Sequence, residues 1–158
     1  MKKSKFSLFV LCALIFAGIA LTSINCAGTG TMNGSLRVNI TDQPLWGPTG
    51  YDHAEYYYIP DINVYYSVSE RQYIYREGSE WKYVLSLPAS YSSYDPYHSY
   101  KVVVYEVKPY QYNDNHQEKY KTYKGKKDQQ VIRDSYDDKY FVHKDHPQHD
   151  KWVKKQKR

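Results

Sequence analysis

Tyrosine is the material from which this chain has to build. It carries 20 tyrosines, all between Tyr51 and Tyr140, against 4 phenylalanines, of which three fall within the first 16 residues. A tyrosine ring buries as much apolar surface as phenylalanine, but its hydroxyl seeks water or a hydrogen-bond partner. A domain made this way is either thin, with every ring near solvent, or it displays its rings as a binding surface. Disulfides offer no other support. The only cysteines are Cys12 and Cys26, at the N-terminal end, so the fold rests on packing alone.

The first residues have a different task. Lys2, Lys3 and Lys5 form a positive start, and Phe6 to Leu21 is an almost unbroken apolar run. A charged start, a short apolar core and small residues are the pattern of a signal peptide. A spanning helix needs about 20 apolar residues, and this run is shorter. Residues 1–26 therefore read as a signal peptide and the rest as exported, a retained signal anchor being the other reading of the same run. Cys26 is the candidate for lipid attachment, followed by the flexible stretch Ala27-Gly28-Thr29-Gly30-Thr31. Ser23-Ile24-Asn25 departs from the usual pattern, which has Leu three places before the cysteine and a small residue next to it. Cleavage after Ala20, Ser23 or Ala27 is the alternative.

Charge changes along the chain. The formal net charge of +5 includes three lysines of the leader. Residues 27–115 hold 6 Lys and Arg against 10 Asp and Glu, a net of −4, while residues 116–158 hold 13 against 7, a net of +6. The chain reads as a mildly acidic body with a basic tail.

The body carries strand signals. Ser35–Thr41 alternates apolar and polar, and residues 42–54 form a Gly/Pro-rich loop, so residues 27–54 read as an N-terminal strand and loop. Tyr56–Ile59, Ile62–Val68, Arg71–Arg76 and Glu80–Leu85 are short strands separated by turn residues. Residues 89–99 read as a loop, and Tyr100–Val107 as a last strand whose continuous apolar middle suggests a central place in the sheet. Residues 55–112 thus form a Tyr-rich antiparallel β-domain. Residues 113–158 are a charged C-terminal region of low hydrophobicity, which favours disorder toward its end; a short helix around 126–135 is the one helical expectation. The fold class is mainly β: a small antiparallel meander sheet with a polar, partly disordered basic C-terminal region.

Several motifs then occur in a specific order: Gln43-Pro44-Leu45-Trp46-Gly47-Pro48, Gly50-Tyr51-Asp52, Glu55-Tyr56-Tyr57-Tyr58, Pro60-Asp61, Val64-Tyr65-Tyr66, Leu87-Pro88, Tyr100-Lys101-Val102-Val103, Lys108-Pro109-Tyr110, Ile132-Arg133-Asp134-Ser135 and His146-Pro147-Gln148-His149. Over residues 43–150 this order resembles a family of small Tyr-rich exported proteins of Gram-negative, Bacteroidetes-type bacteria, whose function is uncharacterised. The resemblance implies export and an envelope setting and adds no chemistry.

Candidate sites are few. His143, His146 and His149, with Asp145 and Asp150 beside them, are donors that suit Zn²⁺ or Cu²⁺. Pro147 breaks any helix that would align them, and Lys144 and Lys151 repel a cation, so the stretch reads first as a solvated tail. Trp46, Trp81, Tyr73 and Tyr75 are the candidate binding face for glycan or peptide. The competing account makes the Tyr stripes the core and flank of a thin sheet, because alternation alone turns half the rings inward. The basic tail could attract an anionic polymer, or simply keep a Tyr-rich chain dispersed. The chain has no G-x-S-x-G, no H-E-x-x-H and no phosphate loop around Gly125-Lys126. The sequence therefore leads to a non-catalytic structural or interaction protein of the cell envelope with no cofactor. Its expected setting is an outer-membrane-associated lipoprotein, the periplasm or the medium. Envelope components, polysaccharide or a lipid-anchored membrane are the expected partners, and nucleic acid is not. A glycan- or peptide-binding module is the alternative, and an envelope enzyme or metal binder is less favoured.

Overall fold

The structure, a computed structural model, describes residues 38–158. The leader, Cys26 and the first half of the strand expected at 35–41 lie outside the described residues. The sheet has five antiparallel strands: β1 (Tyr56–Ile59), β2 (Val64–Ser67), β3 (Gln72–Glu77), β4 (Glu80–Val84) and β5 (Val102–Val104), in the order β4-β3-β2-β1-β5. The first four make the expected meander. Pro60 ends β1, since it has no N–H to give the ladder. Asn63 turns the chain with φ at 52°, a left-handed value that asparagine tolerates better than most residues. Gly78, at φ 61°, is the first of the two residues linking Glu77 to Glu80, where a tight hairpin wants positive φ.

β5 departs from expectation in both length and place. It is three residues long and returns to the edge beside β1, pairing Tyr56 with Val104 and Tyr58 with Val102. A continuous apolar run signals burial on two faces, and layers above and below the sheet supply that burial here without a strand on each side. Val103 belongs to the cluster on one face and Val104 to the cluster on the other.

Every residue of β2 is buried, because both faces of the sheet are covered. On one face Tyr57, Tyr66, Val68 and Val103 pack with Ala54 and Trp46, which come from the loop before β1. On the other, Tyr58, Tyr65, Ile74 and Val104 pack with Trp81, Tyr110 and Tyr120. The sheet is therefore the middle of three layers, and the Tyr-rich core is neither thin nor a display.

The expected strand at 35–41 is not continued in residues 38–41, which lead into a turn at Ile40–Asp42. Its apolar anchor Ile40 instead joins Ile132 and Tyr140 in a third cluster. The C-terminal region is more ordered than its composition suggests. Helix α1 (Asn113–Tyr120) covers the second face of the sheet, and helix α2 (His149–Gln156) ends the chain. Between them, Ile132 N–H donates to the Gly47 carbonyl at 2.9 Å, Arg133 N–H to Leu45 at 2.9 Å and Thr49 N–H to Gln130 at 3.1 Å. The helix expected at 126–135 is only a single 3₁₀ turn at Ile132–Asp134. Low hydrophobicity misleads here because a few residues, Val131, Ile132, Tyr140 and His146, carry the burial.

Candidate functional site

Two polar networks hold the layers on the sheet. On the loop side the Gln43 side chain is fully buried. Its Oε1 accepts from the Tyr57 hydroxyl at 2.9 Å, and its Nε2 donates to Asn39 Oδ1 and the Tyr51 carbonyl, both at 3.2 Å. Asn39 in turn clips the Ala54 backbone, donating to its carbonyl at 2.7 Å and accepting from its N–H at 2.9 Å. Gly47 is required beside this network: a Cβ there would lie 2.7 Å from the Tyr57 hydroxyl and 2.9 Å from the Pro44 carbonyl.

On the helix side Asn113 Nδ2 donates to Asn63 Oδ1 at 2.7 Å and to the Tyr65 hydroxyl at 3.2 Å. That leaves the Tyr65 O–H to donate to His116 Nδ1, 2.9 Å away. His116 then carries its proton on Nε2, which points at Glu106 Oε1 across 3.6 Å. Burial holds the imidazole below its ordinary pKa, although Glu106 pulls upward. Tyr58, whose hydroxyl donates to Asn63, is pushed up to about 12 by burial.

Outside the loop-side network lies a cleft of about 610 Å³ between residues 41–45, the hairpin turn at Arg71, and residues 142–145. Tyr66 and Tyr97 contribute to its wall, and Asp42, Arg71, His143, Lys144 and Asp145 carry its charge. Arg71 and Asp42 face each other at 3.8 Å and are both solvent-exposed. Arg71 takes a left-handed φ of 55°, a position where a non-glycine residue is uncommon. Burial lowers the pKa of His143, with Asp145 and the Gln43 backbone acting upward. One face of Tyr97 is covered by the Arg133 guanidinium, 3.9 Å from its ring centre. The cleft thus combines aromatic surface, hydrogen-bonding groups and charges of both signs, which is the equipment for gripping a polar ligand. A smaller cleft of about 380 Å³ opens on the helix side, lined by Tyr58, Asp61, Asn63, Gln117, Lys121 and Lys124.

The residues singled out from sequence are dispersed. Trp46 packs edge-on to Tyr66, with ring centres 4.7 Å apart, and stacks near Tyr73 at 6.2 Å. Tyr75, on the same face as Tyr73, is buried. Trp81 sits on the opposite face, against Tyr65 and Tyr110. The four rings therefore do not share one surface. The three histidines serve the backbone: His146 Nδ1 accepts from Gln148 N–H at 3.1 Å, leaving Nε2–H to donate to the Ile132 carbonyl at 3.1 Å. His149 donates to the Phe141 carbonyl at 2.7 Å, and His143 accepts from Asp145 N–H at 3.2 Å. No group of three or more His, Cys, Asp or Glu is placed to hold a metal ion among the described residues.

Sequence reasoning missed Asp42, Arg71, Tyr97 and the 142–145 segment as neighbours. They come from four separate stretches and carry no shared motif, so only the tertiary fold brings them together. No protein-family model, curated protein or solved structure matches this chain.

Proposed function

We propose that this chain is an exported, non-catalytic interaction protein of the cell envelope, tethered through Cys26 or released, which works by holding a polar partner. The cleft carries this reading. It offers the half-buried Tyr97 ring beside the edge of the Tyr66 core and a rim of both charge signs, on a body tied together by buried polar networks. The leader supports the address, and the motif order that resembles the small Tyr-rich exported proteins fits it. Within this reading a glycan is the favoured ligand class. The half-buried Tyr97 ring suits the apolar side of a sugar ring, and Asp42, Arg71, His143 and Asp145 supply donors and acceptors for its hydroxyls.

Fractionation of producing cells, with mass spectrometry of the mature N-terminus, tests the address. An acylated Cys26 or a new N-terminus after Ala20, Ser23 or Ala27 is expected, whereas a peptide retaining Lys2 would overturn the signal-peptide reading. Titration with envelope polysaccharide fragments tests the cleft. Tyr97→Ala and Arg71→Ala should each weaken binding by about tenfold, and unchanged affinity in both variants would remove the cleft from the proposal.

A further inference from the structure

Helix α2 has two unlike sides. At 100° per residue, His149, Trp152, Val153 and Gln156 share one side and Lys151, Lys154 and Lys155 the other, with Arg158 two residues past the last helical residue. On the first side Trp152 and Val153 are half-buried, and His149 donates to the Phe141 carbonyl. The three lysines of the second side and Arg158 are exposed. None of these four cations is in an ion pair among the described residues, and residues 151–158 hold no acid.

This stripe only partly serves the helix beside it. Lys151 and Lys155 are like charges four residues apart, a destabilising spacing, whereas Asp150 four residues before Lys154 is a favourable one. Cations in the last turn suit the negative end of the helix dipole, but Lys151 lies in the first turn, where the dipole disfavours it. Helix stability therefore accounts for Lys154 and Lys155 but not for Lys151 or for Arg158 beyond the helix. A surface of fixed negative charge accounts for all four, because it would meet the whole exposed cationic side at once.

We infer that this stripe docks the protein on a membrane surface of anionic phospholipid headgroups. The choice of lipid over other polyanions rests on the export reading, which brings the chain to a membrane. The contact is electrostatic, carried by the exposed cations on the side of α2 opposite Trp152 and Val153. Phosphate groups would meet the ammonium and guanidinium groups with release of counterions, so the binding should be strongly salt-dependent.

The test is co-sedimentation of the full chain with phosphatidylcholine vesicles and with mixed phosphatidylcholine–phosphatidylglycerol vesicles. It compares wild type with a Lys151→Gln, Lys154→Gln, Lys155→Gln, Arg158→Gln variant. Both proteins carry the same leader, so their difference isolates the stripe. Wild type should favour the anionic vesicles over the variant by at least about tenfold, since each basic residue near such a surface contributes substantially. The preference should vanish as salt rises from about 0.1 M to about 1 M, where screening shortens from about 10 Å to about 3 Å. A variant with the three lysines changed to arginine should bind like wild type, which separates charge from folding. Equal binding by wild type and the Gln variant would overturn the inference. So would a difference between them that shows on heparin or duplex DNA and not on vesicles. The export reading fails separately, if fractionation leaves the chain in the cytoplasm.

Discussion

The two faces of the sheet solve one problem with different chemistry. Each buries tyrosine rings and must satisfy their hydroxyls. On the loop side the partner is an amide, Gln43, itself anchored to Asn39 and to backbone. On the helix side the partners are two asparagines and a histidine, joined in a chain that ends at the half-exposed Glu106. The amide network holds no group that titrates near neutral pH. The histidine network does, and His116 sits at its centre. A buried tyrosine can thus be held in a way that is indifferent to acid or sensitive to it, according to what its hydroxyl meets.

The largest effect should come from removing a ring. Tyr57→Ala is expected to cost about 3–5 kcal/mol in denaturant unfolding, as for other large-to-small core changes. Removing only the hydroxyl sharpens the contrast. Tyr57→Phe strands the buried Gln43 Oε1 and should cost about 1–3 kcal/mol. Tyr65→Phe likewise strands the buried His116 Nδ1 and should cost about 1–3 kcal/mol at neutral pH, but its cost should change as His116 titrates, whereas that of Tyr57→Phe should not. Equal dependence on pH for the two Phe variants would break the comparison.

Acid provides the next test. His116 and His143 are both held below their ordinary pKa in the folded state, so the unfolded chain binds more protons as pH falls. Their contribution to stability is complete above the unfolded value of about 6.5 and is lost as pH drops from there toward the folded values. His116→Gln should flatten this decline more than His143→Gln, since His116 lies inside the network and His143 on the rim of the cleft. A melting temperature that is flat between pH 7 and pH 5 would sink the assignment. The smallest effect expected is at the surface. Asp52→Asn removes a 2.8 Å ion pair with Lys139 and should change stability by less than about 1 kcal/mol.

Much of the sheet was legible in the sequence, because alternation and turn residues are local signals. The strands around Tyr56–Ile59, Val64–Ser67, Gln72–Glu77 and Glu80–Val84 fall where those signals put them, and Tyr66 and Val68 share a face as their spacing requires. What covers the sheet was not legible. Ile40 read as part of a strand, yet it packs on Ile132 and Tyr140, about a hundred residues further on. Gln129 gave no sign that it would clasp the Lys101 backbone, donating to its carbonyl at 2.8 Å and accepting from its N–H at 2.9 Å. The cleft follows the same rule. Its residues are ordinary one by one, and only long-range backbone pairing assembles them.

That pairing has a consequence for the timing of folding. The β1–β4 meander consists of neighbours and can form as soon as its residues exist. The loop at Leu45–Thr49 receives its cover only from Gln130, Ile132 and Arg133. At synthesis rates of about 5–20 residues per second, that cover arrives on the order of ten seconds later. For that interval the nascent chain leaves the Leu45 and Gly47 carbonyls and the Thr49 N–H without their partners, so the loop that crosses the meander is tied down last.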